Sequence, residues 1–121
     1  MIKNIYVTGV SVSDQERALD FYTNKLGFEK RADISVGDYR WIEVVPPGAE
    51  TALVLEPGRG TVGTLTSIVF TTDDMPATYE QLRGRGVHFT EEPSRQSWGG
   101  MQARFVDPDG NTFVLVQRTG G

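Results

Sequence analysis

The sequence predicts an α+β fold in which one domain of 121 residues is built from two βαβββ modules. The segment DPDGNTFVLVQ, residues 107–117, reads as a turn followed by a strand and has a weaker copy, PPGAETALVLE, at residues 46–56. Two helical segments also match at one constant offset, with Ala18 over Ala77 and Gly27 over Gly86. A repeated supersecondary unit of this kind predicts two similar modules.

The first module covers residues 1–57 and begins with the alternating run NIYVTGVSVS, which is typical of a strand between two different surfaces. Ser13 or Asp14 is expected to cap the helix that follows, which carries an apolar stripe and ends at Gly27. Strand-like runs come next at FEKRAD, YRWIEVV and TALVLE, with turn residues between them. The predicted order is therefore βαβββ.

The second module covers residues 65–117 and repeats this order. LTSIVFTT predicts a strand, Asp73 or Asp74 a helix cap, and MPATYEQLRGRG a helix with proline in its first turn. The runs VHFTEE, MQARFVD and TFVLVQ complete the module as strands. The Gly- and Pro-containing segment of residues 56–65 is predicted to join the modules.

Composition limits the classes of partner. The net charge is −4 and the basic residues are dispersed, so no nucleic-acid partner is expected. The chain has no cysteine, which excludes disulfides and thiolate chemistry. It shows neither an apolar run of membrane-spanning length nor a signal-like N-terminus, so we expect no membrane association and a cytoplasmic location.

Three stretches, VSVSDQERALDFYTNKLGF, TDDMPATYEQLRGRGVHF and FVDPDGNTFVLVQ, together resemble the glyoxalase, bleomycin-resistance and extradiol-dioxygenase superfamily, the vicinal oxygen chelate fold. The resemblance covers Ile2 to Gln117. It implies that the two modules pair into a cleft-forming, barrel-like mixed sheet, and that the protein is a homodimer. Enzymes of this superfamily hold a divalent metal on inward-facing side chains. The resemblance therefore also implies which positions of this chain correspond to metal ligands.

The resemblance places the metal ligands at Val7, Leu53, Ser67 and Val114. None of these side chains is an imidazole or a carboxylate, which are the donors that such sites require. We therefore expect no metal and no other cofactor. The same four positions are instead expected to form the floor of an apolar ligand-binding cleft.

Further residues are candidates for this cleft. Trp41 and Trp98 are possible aromatic walls, although core packing also explains Trp41 and anchoring of a loop equally explains Trp98. Gln102 alternates in phase with Arg104 and is a candidate polar contact. His88, the single histidine, is interpreted as structural.

Two function classes remain open from the sequence. The first is a metal-free protein that sequesters a small apolar or aromatic molecule, as in resistance proteins. The second is a lyase, isomerase or dioxygenase that uses Glu43 as a base, or an unorthodox metal site built around Glu43 and Glu56. A solvent-facing strand carboxylate is the other interpretation of Glu43.

Overall fold

The computed structural model describes residues 1–58 and 62–118 and confirms the α+β fold with two βαβββ modules. The chain divides into two compact units, Met1–Val62 and Gly63–Gly121. Residues 59–61 of the predicted connector lie outside the described residues, as do residues 119–121. In the part of the chain that the structure describes, every helix is too short or too polar to cross a bilayer.

The first unit contains a four-stranded sheet in the order β1-β4-β3-β2. Strand β1 runs parallel to β4, and the remaining pairs are antiparallel. The elements are β1 (Val7–Val12), α1 (Gln15–Asp20), a π-helical segment (Phe21–Lys25), β2 (Glu29–Val36), β3 (Tyr39–Val45) and β4 (Ala52–Pro57).

The helix of the first unit is capped by Asp14, whose carboxylate accepts from the Arg17 amide at 3.1 Å. The sequence predicts one regular helix, whereas the structure widens its second half into a π-helical segment. There the Thr23 hydroxyl donates to the Leu19 carbonyl at 2.7 Å, a bond of the type that competes with the helical ladder. Gly27, at φ 80°, ends the segment in the left-handed conformation.

The second unit repeats this plan, with a sheet in the order β5-β8-β7-β6 and one parallel pair, β5 with β8. Asp74 caps its helix by accepting from the Ala77 amide at 3.0 Å. The elements are β5 (Leu65–Thr71), α2 (Met75–Gly84), β6 (His88–Arg95), β7 (Met101–Val106) and β8 (Thr112–Gln117).

Each sheet has a face that packs on its helix and an opposite face, which we call the distal face. In the second unit Tyr79 of α2 contacts Phe89 of β6 with ring centroids 4.7 Å apart, and this identifies the helix side. The strand register then assigns each remaining side chain to one of the two faces. Residues paired across two strands point to the same face, and consecutive residues of one strand point to opposite faces. The distal face of the second unit carries Val69, Gln102, Arg104, Val114 and Val116.

In the first unit the helix side is identified by burial. One set of alternating residues is mostly buried, and its buried members are Val10, Val12, Ile42, Val44, Leu53 and Leu55. The other set includes exposed residues. A face that packs on a helix would not leave them exposed, so we assign this set to the distal face. This set contains Val7, Gly9, Ser11, Trp41, Glu43, Val54 and Glu56.

A buried turn fixes the start of β8 in the second unit. The Asp107 carboxylate accepts from the Asp109 and Asn111 amides at 2.9 Å and from the Asn111 side chain at 2.9 Å. The Asn111 side-chain oxygen in turn accepts from the amides of Gly63 and Thr64 at 3.0 and 3.1 Å. Asn111 therefore joins the turn to the segment that leads into β5.

We predict that Asn111→Ala lowers the free energy of unfolding by about 1–3 kcal/mol, because it leaves buried polar groups without partners. Asn24→Ala is the matched control, since Asn24 is exposed and donates to the neighbouring exposed Asp20 side chain. Its effect should stay within about 0.5 kcal/mol. Urea denaturation measures both variants, and equal losses would contradict the role given to Asn111.

Candidate functional site

The distal face of the first unit is organised around the Glu43 carboxylate, which is only 3% exposed. It accepts a hydrogen bond from Arg31 Nε at 2.6 Å, from Trp41 Nε1 at 2.7 Å and from the Tyr6 hydroxyl at 3.0 Å. Arg31 also donates to the Glu50 carbonyl at 2.7 Å and lies over the Tyr6 ring, 4.7 Å from its centroid. We call these four residues, Tyr6, Arg31, Trp41 and Glu43, the Glu43 network.

Two opposing effects set the pKa of Glu43. Burial raises the pKa, but hydrogen bonds from Trp41, Arg31 and Tyr6 and the charge of Arg31 more than offset this, so the pKa lies below the usual glutamate range. The carboxylate is therefore ionised at neutral pH and already holds three donors. A group in this state is a poor general base, because accepting a proton would disrupt those hydrogen bonds.

The sequence analysis identified Trp41 and Glu43 as candidate site residues but did not identify Arg31 or Tyr6. Alternation along β3 correctly puts Trp41 and Glu43 on one face. Arg31 lies at a β-bulge between Lys30 and Ala32, where alternation no longer predicts direction. Tyr6 falls inside the predicted strand NIYVTGVSVS, but β1 starts at Val7, so the alternation predicted for Tyr6 does not apply.

Glu56 lies on the same face as Ser11 and borders a recess of about 200 Å³ that is also lined by Tyr39 and Pro57. A Cβ added at Gly9 would lie 3.0 Å from the nearer Glu56 carboxylate oxygen, so glycine leaves room for this side chain. Within residues 1–58 and 62–118, no group of three or more His, Cys, Asp or Glu residues is placed to hold a metal ion.

The structure contradicts one predicted grouping, that of Leu53 with Val7. Val7 pairs with Ala52, and Leu53 pairs with Thr8, so Leu53 faces the helix side. Val54 is the residue equivalent to Val114, since Val54 pairs with Gly9, five residues before the cap Asp14, as Val114 pairs with Val69, five residues before the cap Asp74. The prediction was wrong because residues 52–55 are all apolar and all buried, and alternation cannot distinguish two apolar faces.

The distal face of the second unit carries apolar side chains beside the charged Arg104. Val114 pairs with both Val69 and Arg104, and Val69 is 54% exposed. Gln102 pairs with Val116 on the same face. The strand β5 is irregular between Leu65 and Val69, so the register does not assign a face to the residues between them.

Ser67 lies in this irregular part of β5 and has a positive φ of 62°. Such a conformation is uncommon for a residue other than glycine. The neighbouring Thr66 hydroxyl accepts from the Ile68 amide at 3.1 Å and donates to the Thr112 carbonyl at 2.8 Å. These bonds bridge the irregularity and hold the exposed Ser67 in place.

Arg104 is paired incompletely. Its Nε lies 3.1 Å from a carboxylate oxygen of Glu91, within ion-pair range, but the Nε–H does not point at that oxygen. This buried Nε has no hydrogen-bond partner among the described residues. The two side chains remain 43% and 34% exposed, so the ion pair faces solvent in part. Gln102 donates a long bond of 3.5 Å to Glu91.

Trp98 lies in the turn between β6 and β7 and is 50% exposed. The turn is closed by bonds from the Gln96 amide to the Gly100 carbonyl at 2.8 Å and from the Gly99 amide to the Gln96 carbonyl at 3.0 Å. The indole lies directly against Gly100, where an added Cβ would overlap the ring. Glycine at this position therefore allows the indole to lie against the turn.

Comparison with known proteins agrees with this architecture. The profile of the Glyoxalase/Bleomycin resistance protein/Dioxygenase superfamily matches residues 4–115. The chain belongs to this superfamily. A superfamily member from Sphaerobacter thermophilus has a crystal structure with a TM-score of 0.90 and 43% identity, over 97% of this chain and 98% of that one.

Two further members of the superfamily are informative. TnmS3, an antibiotic binding protein from a Streptomyces species, has a TM-score of 0.90 and 40% identity, over 98% of both chains. The uncharacterized protein YetH of Bacillus subtilis is 43% identical over 97% of this chain and 100% of its own length. This chain is thus similar over 98% of its length to an antibiotic binding protein.

The residues at the predicted ligand positions of superfamily metalloenzymes do not fit a divalent metal. Val7 and Val114 carry no donor atom on their side chains, and Ser67 offers only a hydroxyl. Val54, the structural equivalent of Val114 in the first unit, is likewise aliphatic. We therefore derive no step that passes through a metal at these positions.

We predict that Glu43→Gln lowers the free energy of unfolding by about 1.5–3 kcal/mol at pH 7, because hydrogen bonds to a charged group are lost. Glu29→Gln is the control, since Glu29 is an exposed residue of β2 in the same unit, and its effect should stay within about 0.5 kcal/mol. Equal stability of the two variants would show that the Glu43 network contributes nothing.

The same pair of proteins gives a pH test. Because the folded pKa of Glu43 is lowered, its contribution is present above the unfolded-state pKa and is lost as the pH falls through the folded value. The stability difference between the parent and Glu43→Gln should therefore shrink in acid. A difference that stays constant from neutral pH into the acid range would contradict the lowered pKa.

Proposed function

We propose that this protein binds a small apolar or aromatic organic molecule without a metal, as a sequestration or resistance protein. The single observation that carries the proposal is the distal face of the second unit, where the exposed Val69 pairs with Val114, and Val116 and Gln102 share the same face. Apolar linings with a few polar groups are typical of small-molecule sites. Similarity to the antibiotic binding protein TnmS3 supports the same function.

The proposed site uses four of the cleft residues that the sequence suggested, all of them in the second unit. We place Val114 at its floor, Ser67 and Gln102 as polar contacts, and Trp98 as an aromatic contact. The half-exposed indole of Trp98 offers a flat surface on which a planar ligand can stack. Homodimer formation and cytoplasmic location remain predictions, which light scattering and cell fractionation test.

The structure offers less support for the enzyme alternative. Glu43 holds three hydrogen bonds and has a lowered pKa, which suits an anchor for Trp41 more than a base. Glu56 is exposed and lies on the same face as Glu43. It follows Val54, the residue of β4 that pairs with Glu43, by two positions. Metal analysis of the purified protein tests this alternative directly, because about one equivalent of tightly held divalent ion would favour an unorthodox site.

We predict that screening aromatic metabolites and antibiotics yields a ligand that raises the melting temperature and changes tryptophan fluorescence. A ligand at 100 times its dissociation constant should stabilise the fold by about 2.7 kcal/mol. Trp98→Ala should weaken binding, whereas Trp98→Phe keeps an aromatic surface and should weaken it less. Val114→Glu should also weaken binding, because it puts a charge on the apolar floor.

The double variant Trp98→Ala, Val114→Glu decides where the ligand sits. Its fold is checked first by circular dichroism, so that loss of binding is not confused with unfolding. Hits that bind this variant as tightly as the parent would place binding elsewhere. A screen that gives no stabilising ligand among aromatic compounds would reject the proposed function.

A further inference from the structure

The geometry points to Arg104 as the recognition site for an oxygen anion on the ligand, so that the preferred ligand is an aromatic carboxylate or phenolate rather than a neutral aromatic compound. This inference rests on the proposed function and adds the chemical class of the ligand. Glu43 and Arg104 occupy equivalent places in the two units, but their hydrogen bonds are satisfied to different extents.

The equivalence follows from register. Glu43 of β3 pairs with Val54, and Arg104 of β7 pairs with Val114. Each charged residue also contacts an opposite charge on the neighbouring strand, Arg31 for Glu43 and Glu91 for Arg104. Each unit therefore carries an ion pair on its distal face, in which an inner strand supplies the carboxylate in the first unit and the guanidinium in the second.

The two groups differ in how far their hydrogen bonds are satisfied. The Glu43 carboxylate is buried and accepts from three donors, so it has little capacity left for a ligand. Arg104 has five N–H donors in a rigid fork, and its one ion-pair contact, with Glu91, does not satisfy the buried Nε. The Nε itself is buried, but the Arg104 side chain as a whole is 43% exposed. A ligand oxygen can therefore accept from the terminal N–H groups of the guanidinium.

The surroundings of Arg104 favour an aromatic anion. Val114 and Val69 lie beside it on the distal face and supply apolar surface for a ring, while the guanidinium fork matches the geometry of a carboxylate. Glu91 keeps the guanidinium on this face and competes with the ligand for it. Removal of the Glu91 charge should therefore strengthen anion binding, whereas a purely structural ion pair would give no such gain.

The test compares naphthalene-2-carboxylate with naphthalene-2-carboxamide, which have the same ring and differ in charge. Isothermal titration calorimetry on the full chain should show that the carboxylate binds about tenfold or more tightly than the amide. Arg104→Met should remove this preference and change amide binding little. Glu91→Gln should strengthen carboxylate binding severalfold, and Arg104→Lys should keep only part of the preference.

Arg83→Met is the matched control, because Arg83 is exposed on α2, pairs weakly with Glu80 at 3.8 Å and should leave the preference unchanged. Equal binding of the two probes, unaffected by Arg104→Met, would overturn the assignment of Arg104 while aromatic binding itself stands. Failure of both probes to bind would also overturn it, and the broader aromatic screen would then decide the proposed function separately. Thermal melts of each variant confirm that it is folded.

Discussion

A single helix can cover only one face of a four-stranded sheet, and this constraint shapes both units of the protein. In the second unit α2 packs on the aromatic side of the sheet, with Tyr79 against Phe89, and the stacked rings of Phe105 and Phe113 continue this side. Among residues 62–118, no helix covers the distal face. Its residues must be satisfied by neighbouring side chains, by water or by a ligand.

The two units meet this constraint with different chemistry. In the first unit the Glu43 network satisfies a buried charge with donors from three directions and fixes the indole of Trp41. In the second unit the exposed Val69 and the incompletely paired Arg104 leave both apolar surface and a donor available. The first arrangement satisfies its charged group internally, whereas the second leaves guanidinium donors available, and for this reason we propose Arg104 as the residue that determines binding specificity.

Much of the fold could be predicted from local sequence signals. The caps at Asp14 and Asp74 and the left-handed glycines Gly27 and Gly86 mark the helix boundaries, and the repeat reveals the modules. Helix caps and left-handed glycines depend on residues that are close together in the chain, so the sequence alone can reveal them. The helix of the first unit still departs from the prediction, because a single sequence pattern does not distinguish an α-helix from one that widens into a π-helical segment.

The candidate site was less predictable for reasons that particular residues illustrate. Leu53 was placed on the wrong face because its neighbours in β4 are apolar on both sides. Arg31 and Glu91 both lie at register shifts, where a bulge changes the direction of a side chain without a sequence signal. The partners of Glu43 and Arg104 therefore became visible only from the three-dimensional register.

The central claim is that a ligand occupies the distal face of the second unit. Nuclear Overhauser effects between the ring protons of a bound aromatic ligand and the methyl groups of the protein test this claim most directly. The account predicts contacts to the methyl groups of Val69, Val114 and Val116. Contacts restricted to Leu82 and Leu115, which are buried on α2 and on the helix side of β8, would contradict it.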